Sequence, residues 1–139
     1  MLDSGILDVA VVGAGWAGLG VSYALQQLGL DHVVLERDAI GETWRRQRWD
    51  SFHMNTPNLY TVLPGDWYDG PDPEGAMSRD AFVALLEDYA ARHRLPVRTG
   101  TPVTSLIRRS DGLFDLALAE GTLRAGAVVA ATGSLRGCQ

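Results

Sequence analysis

Apolar residues run unbroken from Val9 to Val12 and stop at Gly13, then recur at Ala17, Val21, Ala24, Leu25 and Leu28. A short continuous apolar run marks a strand buried on both faces, whereas recurrence every three or four residues marks a helix with one apolar side. The pattern predicts a strand over Asp8–Val12 and a helix over Trp16–Leu28, closed by Gly29. A second apolar run predicts a strand at Asp31–Leu35. Together these form a strand–helix–strand unit of about 30 residues, the size of a parallel crossover.

Regular periodicity then lapses between residues 37 and 78, a stretch that holds three of the four tryptophans and four of the six prolines. So long an aperiodic segment inside a domain is usually functional or disordered, and its aromatic content argues for order. It reads as an excursion lining a site, with one short helix at Glu42–Gln47 and with Trp49 and Trp67 as packing residues. Periodicity returns after Ser78, an N-cap for a helix from Arg79 to Arg94 whose apolar stripe is Phe82, Leu85, Leu86 and Tyr89. A strand starts at Pro96-Val97-Arg98. Three short strands follow at Val103–Arg108, Leu113–Ala119 and Thr122–Arg124, joined by Ser110-Asp-Gly112 and Glu120-Gly121, the signature of an antiparallel meander. A last buried strand, Ala127–Ala131, runs into Thr132-Gly133. The expected fold is α/β: a Rossmann-like βαβ unit with a parallel sheet, plus a small antiparallel β-meander, all in one unit over residues 1–139.

Composition narrows the function classes. A chain of 139 residues with 46% hydrophobic content suits a single domain with its own core. A net charge of −5 argues against a nucleic-acid partner. Arg45, Arg46 and Arg48 form a local basic group, either a solvated cluster or an anion site. The one cysteine, Cys138, allows no internal disulfide and points to a reducing compartment. No run reaches the ~18 apolar residues of a membrane span and no secretory leader is visible, so a cytoplasmic location is expected. His32 and His93 read as surface residues. No His/Cys/Asp grouping has metal-ligand spacing, so no metal is expected.

The chemistry concentrates in Gly13-Ala-Gly-Trp-Ala-Gly18 and in Glu36 at the end of the second strand. Gly13 suits a tight turn, Gly15 a close approach of backbone to a pyrophosphate, and Gly18 close helix–strand packing, while Glu36 suits a ribose hydroxyl. An ADP-bearing cofactor is the expectation; the alternative is a loop built only for packing. An NAD-dependent dehydrogenase domain would also carry this fingerprint, and Glu36 would favour NAD over NADP. The tryptophan-rich excursion and the meander interrupt the plain alternation such a domain would show.

Further segments carry a resemblance. Leu35-Glu-Arg37, Gly41-Glu-Thr-Trp44, Arg48-Trp-Asp-Ser-Phe-His-Met-Asn-Thr-Pro57, Leu63-Pro-Gly65 and Ala131-Thr-Gly133 follow the glycine loop in order. The chain resembles the N-terminal part of the class B flavin-dependent monooxygenases, which include flavin-containing and Baeyer–Villiger monooxygenases. The resemblance implies FAD in this site. Gly13, Gly15, Ala17 and Gly18 would line its pyrophosphate, Glu36 its adenosine ribose and Arg37 the adenine. Thr43 and Trp44 would lie near the pyrophosphate and ribityl chain, though Trp44 is open to a plain core role. His53, Met54 and Asn55 would come closest to the flavin ring, the Val103 backbone would meet the adenine, and Thr132-Gly133 would close the pocket. Asn55 is the candidate catalytic residue, because an amide can donate a hydrogen bond to oxygen held at the flavin; a loop-satisfying role is the alternative for Asn55 and for His53.

The resemblance also implies a reaction in which NADPH and O2 serve to oxygenate a small organic substrate. The second glycine loop such enzymes use for NADPH, and the Phe-x-Gly-x-x-x-His stretch between their two domains, do not occur in this sequence. The chain is therefore expected to be inactive alone. It reads as one subunit of a split enzyme whose partner chain supplies the NADPH domain, as a piece of a longer enzyme, or as a non-catalytic remnant that binds a nucleotide or a protein.

Overall fold

The computed structural model describes residues 5–42, 44 and 57–132. In chain order these form β1 (Ile6–Val12), α1 (Trp16–Gln27), β2 (His32–Leu35), a 3-10 turn (Asn58–Tyr60), α2 (Arg79–Arg92), β3 (Val97–Arg98), β4 (Ser105–Arg108), β5 (Phe114–Leu118) and β6 (Gly121–Ala130). All six strands belong to one sheet in the order β3-β2-β1-β6-β5-β4. β1 lies parallel to β2 and β6, β2 is parallel to β3, and the β4–β5 and β5–β6 pairs are antiparallel. The mixed α/β fold expected from the periodicity is thus present.

The sequence pattern splits the last strand in two; the structure joins it. Thr122–Arg124 and all but the last residue of Ala127–Ala131 fall on one continuous strand, β6, which pairs with β5 up to Ala125 and follows β1 as far as Ala130. The physical reason is a change of phase. On β1, Leu7 and Ala10 face one core while Val9 and Val11 face the other, and on β6 Ala125 and Val128 share a core across an even–odd step. Gly126 lies at that step, where an added Cβ would come 3.3 Å from the Asp8 carbonyl oxygen. The strand rolls over between its two pairings, so its apolar positions lose strict alternation and read as two elements.

Two cores flank the sheet. On one side α1 and α2 bury Leu19, Phe82, Leu86 and Tyr89 against Val9, Val11 and Val34. On the other, Val33, Leu35 and Ala10 meet Leu116 and Ala125 of the meander. Helix α2 begins as expected: Ser78 Oγ accepts a hydrogen bond from the Ala81 N–H at 3.1 Å. It stops at Arg92 rather than Arg94, because Arg94 adopts the left-handed conformation (φ 54°) and the Leu95 N–H returns to the Ala90 carbonyl.

The excursion is tied down by its Leu63-Pro-Gly65 segment. Leu63 is buried, the Tyr89 hydroxyl donates to the Pro64 carbonyl at 2.5 Å, and Gly65 lies so close to the Tyr23 ring that no side chain would fit. Asp66 then accepts from Arg92 at 2.6 Å and sits 3.0 Å from His93 Nε2. Three expectations change here. Trp67 is 77% exposed and is not a packing residue, since Asp66 and the segment around it, not the indole, make the anchor. His93 is half-buried beside Asp66, and His32 hydrogen-bonds the buried Ser22 hydroxyl at 2.8 Å, so neither is a plain surface residue. Trp49 and most of the Glu42–Gln47 helix lie outside the described residues, as do Arg45, Arg46 and Arg48. No helix among the described residues is long and apolar enough to cross a membrane.

Candidate nucleotide-binding site

The carboxyl ends of β1, β2 and β6 open onto a cleft of about 790 Å³. Open α/β sheets bind ligands at this end of their strands, where backbone groups leave the ladder and loops diverge. Its floor is Val12, Gly13, Ala130 and Ala131; the α1 N-terminus forms one wall, and Glu36, Arg37 and Asp38 with Pro102 and Val103 form another.

The three glycines of the loop do different work. Gly13 turns the chain off β1 with φ 109°, and a Cβ there would run into the Ala131 carbonyl. Gly18 is buried rather than part of the cleft lining, and a Cβ on it would collide with the Gly13 carbonyl oxygen, so it brings helix against loop. Gly15 is the exception. A Cβ there would meet nothing within 4 Å, which means its missing side chain leaves room in the cleft itself. Gly15 is also the N-cap of α1; it has no side chain to cap that helix, no side chain among the described residues does so, and no acidic residue occupies its first turn. Unsatisfied N–H groups and the positive end of the helix dipole therefore face the cleft, an arrangement that favours an anion.

Glu36 is held rather than loose. One carboxylate oxygen accepts from the Ala14 N–H and the other from the Asp38 N–H, both at 2.8 Å. Its own backbone continues the sheet edge: the Glu36 N–H donates to Arg98 and the Thr101 N–H donates to the Glu36 carbonyl. That edge pairing carries Pro102 and Val103 to the cleft. Each carboxylate oxygen has a lone pair beyond the one engaged, so a vicinal diol could donate to both. Arg37 is half-exposed at the rim, with Nε 3.4 Å from Asp38.

Of the residues expected at the site, Gly13, Gly15, Ala17, Glu36, Arg37, Trp44, Val103 and Thr132 line this cleft together. Trp44 serves in both roles open to it, lining the cleft and packing on the helical core, where its ring meets Phe82 at 4.8 Å. Thr43, His53, Met54, Asn55 and Gly133 lie outside the described residues. The sequence reading missed Trp16, Asp38 and Pro102 as lining residues. Their neighbours Gly15, Arg37 and Val103 were the available signal, because cleft-forming loops contribute consecutive residues. Among the described residues no group of His, Cys, Asp and Glu could hold a metal ion.

Comparison with known proteins agrees with this geometry. Residues 10–136 match the family described as pyridine nucleotide-disulphide oxidoreductase. An uncharacterized CzcO-like oxidoreductase of Geobacillus kaustophilus is 40% identical over 129 residues, which cover 92% of this chain and 36% of that protein. A probable indole-3-pyruvate monooxygenase of Arabidopsis thaliana is 30% identical over 88% of this chain and 30% of its own length. The structure of a flavin-containing monooxygenase from Stenotrophomonas maltophilia superposes with a TM-score of 0.82 at 30% identity, over 92% of this chain and 38% of that one. The chain thus spans less than two fifths of the length of each of these relatives. It belongs to the pyridine nucleotide-disulphide oxidoreductase family and corresponds to the N-terminal part of flavin-dependent monooxygenases.

Proposed function

We propose that this chain is the FAD-binding part of a flavin-dependent monooxygenase that uses NADPH and O2 to oxygenate a small organic substrate, and that residues beyond it complete the enzyme. The observation that carries the reading is Gly15: an uncapped helix N-terminus opens on a cleft, and the residue at its mouth has no side chain where a pyrophosphate would lie. The described residues fit the cofactor. Gly15 and Ala17 would hold the pyrophosphate through backbone N–H groups, while Gly13, whose own N–H is bonded to the Leu35 carbonyl, would bring the turn against it. Glu36 would hold the adenosine ribose, and Arg37 and Val103 the adenine. Trp44 and Thr132 would flank the remainder, and Thr43, His53, Met54, Asn55 and Gly133 are proposed to extend the site toward the flavin ring, with Asn55 donating its amide hydrogen bond there. The bound flavin would supply the redox and oxygen chemistry; the residues of this chain bind it, orient it and keep water from it.

NADPH would be held by a second nucleotide fold, on a partner chain or on the rest of a longer one. This reading is favoured by the share of the relatives that the chain spans, 30–38% for the three compared. The decisive measurement is titration of the purified protein with FAD, followed by flavin absorbance and tryptophan emission. Gly15→Val is expected to cost about 1 kcal/mol of stability, the loss of a favourable N-cap residue, since the position is not left-handed and a Cβ there meets nothing. The same change should weaken FAD binding at least about a hundredfold by filling the phosphate approach. Equal affinity of variant and parent would remove the proposal, as would a parent protein indifferent to FAD.

A further inference from the structure

Phe82 is 1% exposed and is not among the residues lining the cleft, yet it touches two that are. Its ring stacks on Trp16, with centroids 5.6 Å apart and planes 17° from parallel. Trp44 meets it edge-on, at 4.8 Å and 62°. The two tryptophans come from different elements, one from the first turn of α1 and the other from the turn after β2. Among the described residues, Phe82, on α2, has a ring contact with both.

The rest of α2 strengthens the same contact. Gly41, in the turn that leads to Trp44, lies flat on the helix: a Cβ there would sit 3.3 Å from Val83 Cγ1 and 3.4 Å from Leu86 Cδ1. That turn closes on itself through hydrogen bonds from Glu42 to Ala39 and from Trp44 to Gly41, both at 3.0 Å. It therefore moves as a unit with whatever holds its indole. Aromatic pairs in offset or edge-on geometry add attraction beyond buried area, and they also set ring orientation, which an aliphatic neighbour of equal volume does not.

We propose that Phe82 is a positioning residue for the nucleotide cleft: seated between Trp16 and Trp44, it fixes both indoles in the cleft wall and so raises FAD affinity without touching the ligand. This inference rests on the FAD-binding reading above. The surface of α2 facing the cleft thus acts on the ligand through two intermediaries, and the helix does more than cover the sheet.

The test compares five variants of the full chain, Trp44→Leu and its double variant with Phe82→Leu included, by FAD titration and by thermal unfolding of the apo protein. Phe82→Leu keeps the volume apolar and removes the ring; it is expected to weaken FAD binding about tenfold, the loss of two aromatic pairs. Tyr89→Phe destabilises the same helix from its other end, away from the cleft, and should leave Kd within about twofold while lowering Tm. Phe82→Tyr retains the ring but buries a hydroxyl, so it should lower Tm and keep near-parental affinity. In a Trp44→Leu background, Phe82→Leu should cost clearly less than it does alone, because residues that act through one another are not additive. The proposal is overturned if Phe82→Leu binds like the parent. It is equally overturned if all variants lose affinity in proportion to Tm, or if the two losses simply add. A parent protein that binds no FAD defeats the FAD-binding reading and this inference with it, whereas a binding parent with an unaffected Phe82→Leu defeats the inference alone.

Discussion

Glu36 shows how a single side chain links two loops. Its carboxylate accepts from the Ala14 N–H in the glycine turn and from the Asp38 N–H beyond β2, each at 2.8 Å, so the ribose acceptor and the phosphate loop are aligned before any ligand arrives. Glu36→Gln can accept at only one of these positions and turns an amide N–H₂ toward the other N–H. Bonds to a charged acceptor contribute about 1.5–3 kcal/mol, so FAD affinity should fall ten- to a hundredfold, measurable by isothermal titration. The two helix ends offer a second contrast at this scale. After α1 the left-handed position is filled by Gly29 (φ 72°), with Leu30 N–H returning to Leu25; after α2 the equivalent position is Arg94 (φ 54°). A Cβ in that conformation costs about 1 kcal/mol. Arg94→Gly should recover about 0.5–1 kcal/mol of stability, less the entropy that glycine adds to the unfolded chain, in a denaturant titration. The Gly29 end was legible in the sequence because glycine is the usual residue there. Arg94 gave no such signal, and the expected helix accordingly ran two residues too far.

At the scale of elements, the Leu63–Asp66 segment fastens the excursion to both helices. The Arg92 guanidinium donating to Asp66 holds its carboxyl below the usual value of 3.8; burial opposes this, and His93 adds to it. The Asp66 side chain is only 15% exposed, whereas Arg92 is 45% exposed, so water still reaches one side of the pair. A carboxyl whose folded pKa lies below its unfolded one stabilises fully above the unfolded pKa and loses that contribution as pH falls through the folded one. Thermal stability should therefore drop as pH falls below 3.8. Asp66→Asn should flatten that acid slope and cost about 1 kcal/mol at neutral pH, because Arg92 and His93 lose their charged acceptor while Arg92, 45% exposed, keeps Asp88 and water. An unchanged slope in scanning calorimetry would remove the clamp from the account. The Tyr89 hydroxyl beside it, pushed up to about 12 by burial, stays neutral and continues to donate to Pro64 throughout this range.

At the scale of the whole molecule, the described residues form a six-stranded sheet whose two outer strands differ. β3 is two residues long, but β4 is a four-residue edge whose Leu106 and Ile107 are 49% and 60% exposed. Apolar edge strands invite pairing with another chain. Ile107→Lys should leave Tm within about 0.5 kcal/mol equivalent, as for other exposed sites, and reduce self-association in light scattering at high protein concentration. If the parent is fully monodisperse and the variant identical, the edge is inert.

The amino-acid sequence by itself determined the strand–turn–helix at Val9–Leu28, the acidic end of β2, the Ser78 cap and the β4–β5 hairpin of the meander. Each is a local event: a handful of consecutive residues settle backbone conformation through apolar period, capping and turn chemistry. Only the tertiary structure decided that β6 is one strand serving both halves of the sheet. It alone joined Trp16, Phe82 and Trp44, which lie far apart along the chain, in a single aromatic contact, and paired Asp66 with His93. It also left Trp67 in solvent while burying the chain on either side of it at Leu63 and Tyr89. Those outcomes turn on which distant surfaces exclude water from one another, and that free energy belongs to the assembled fold, not to any window of sequence.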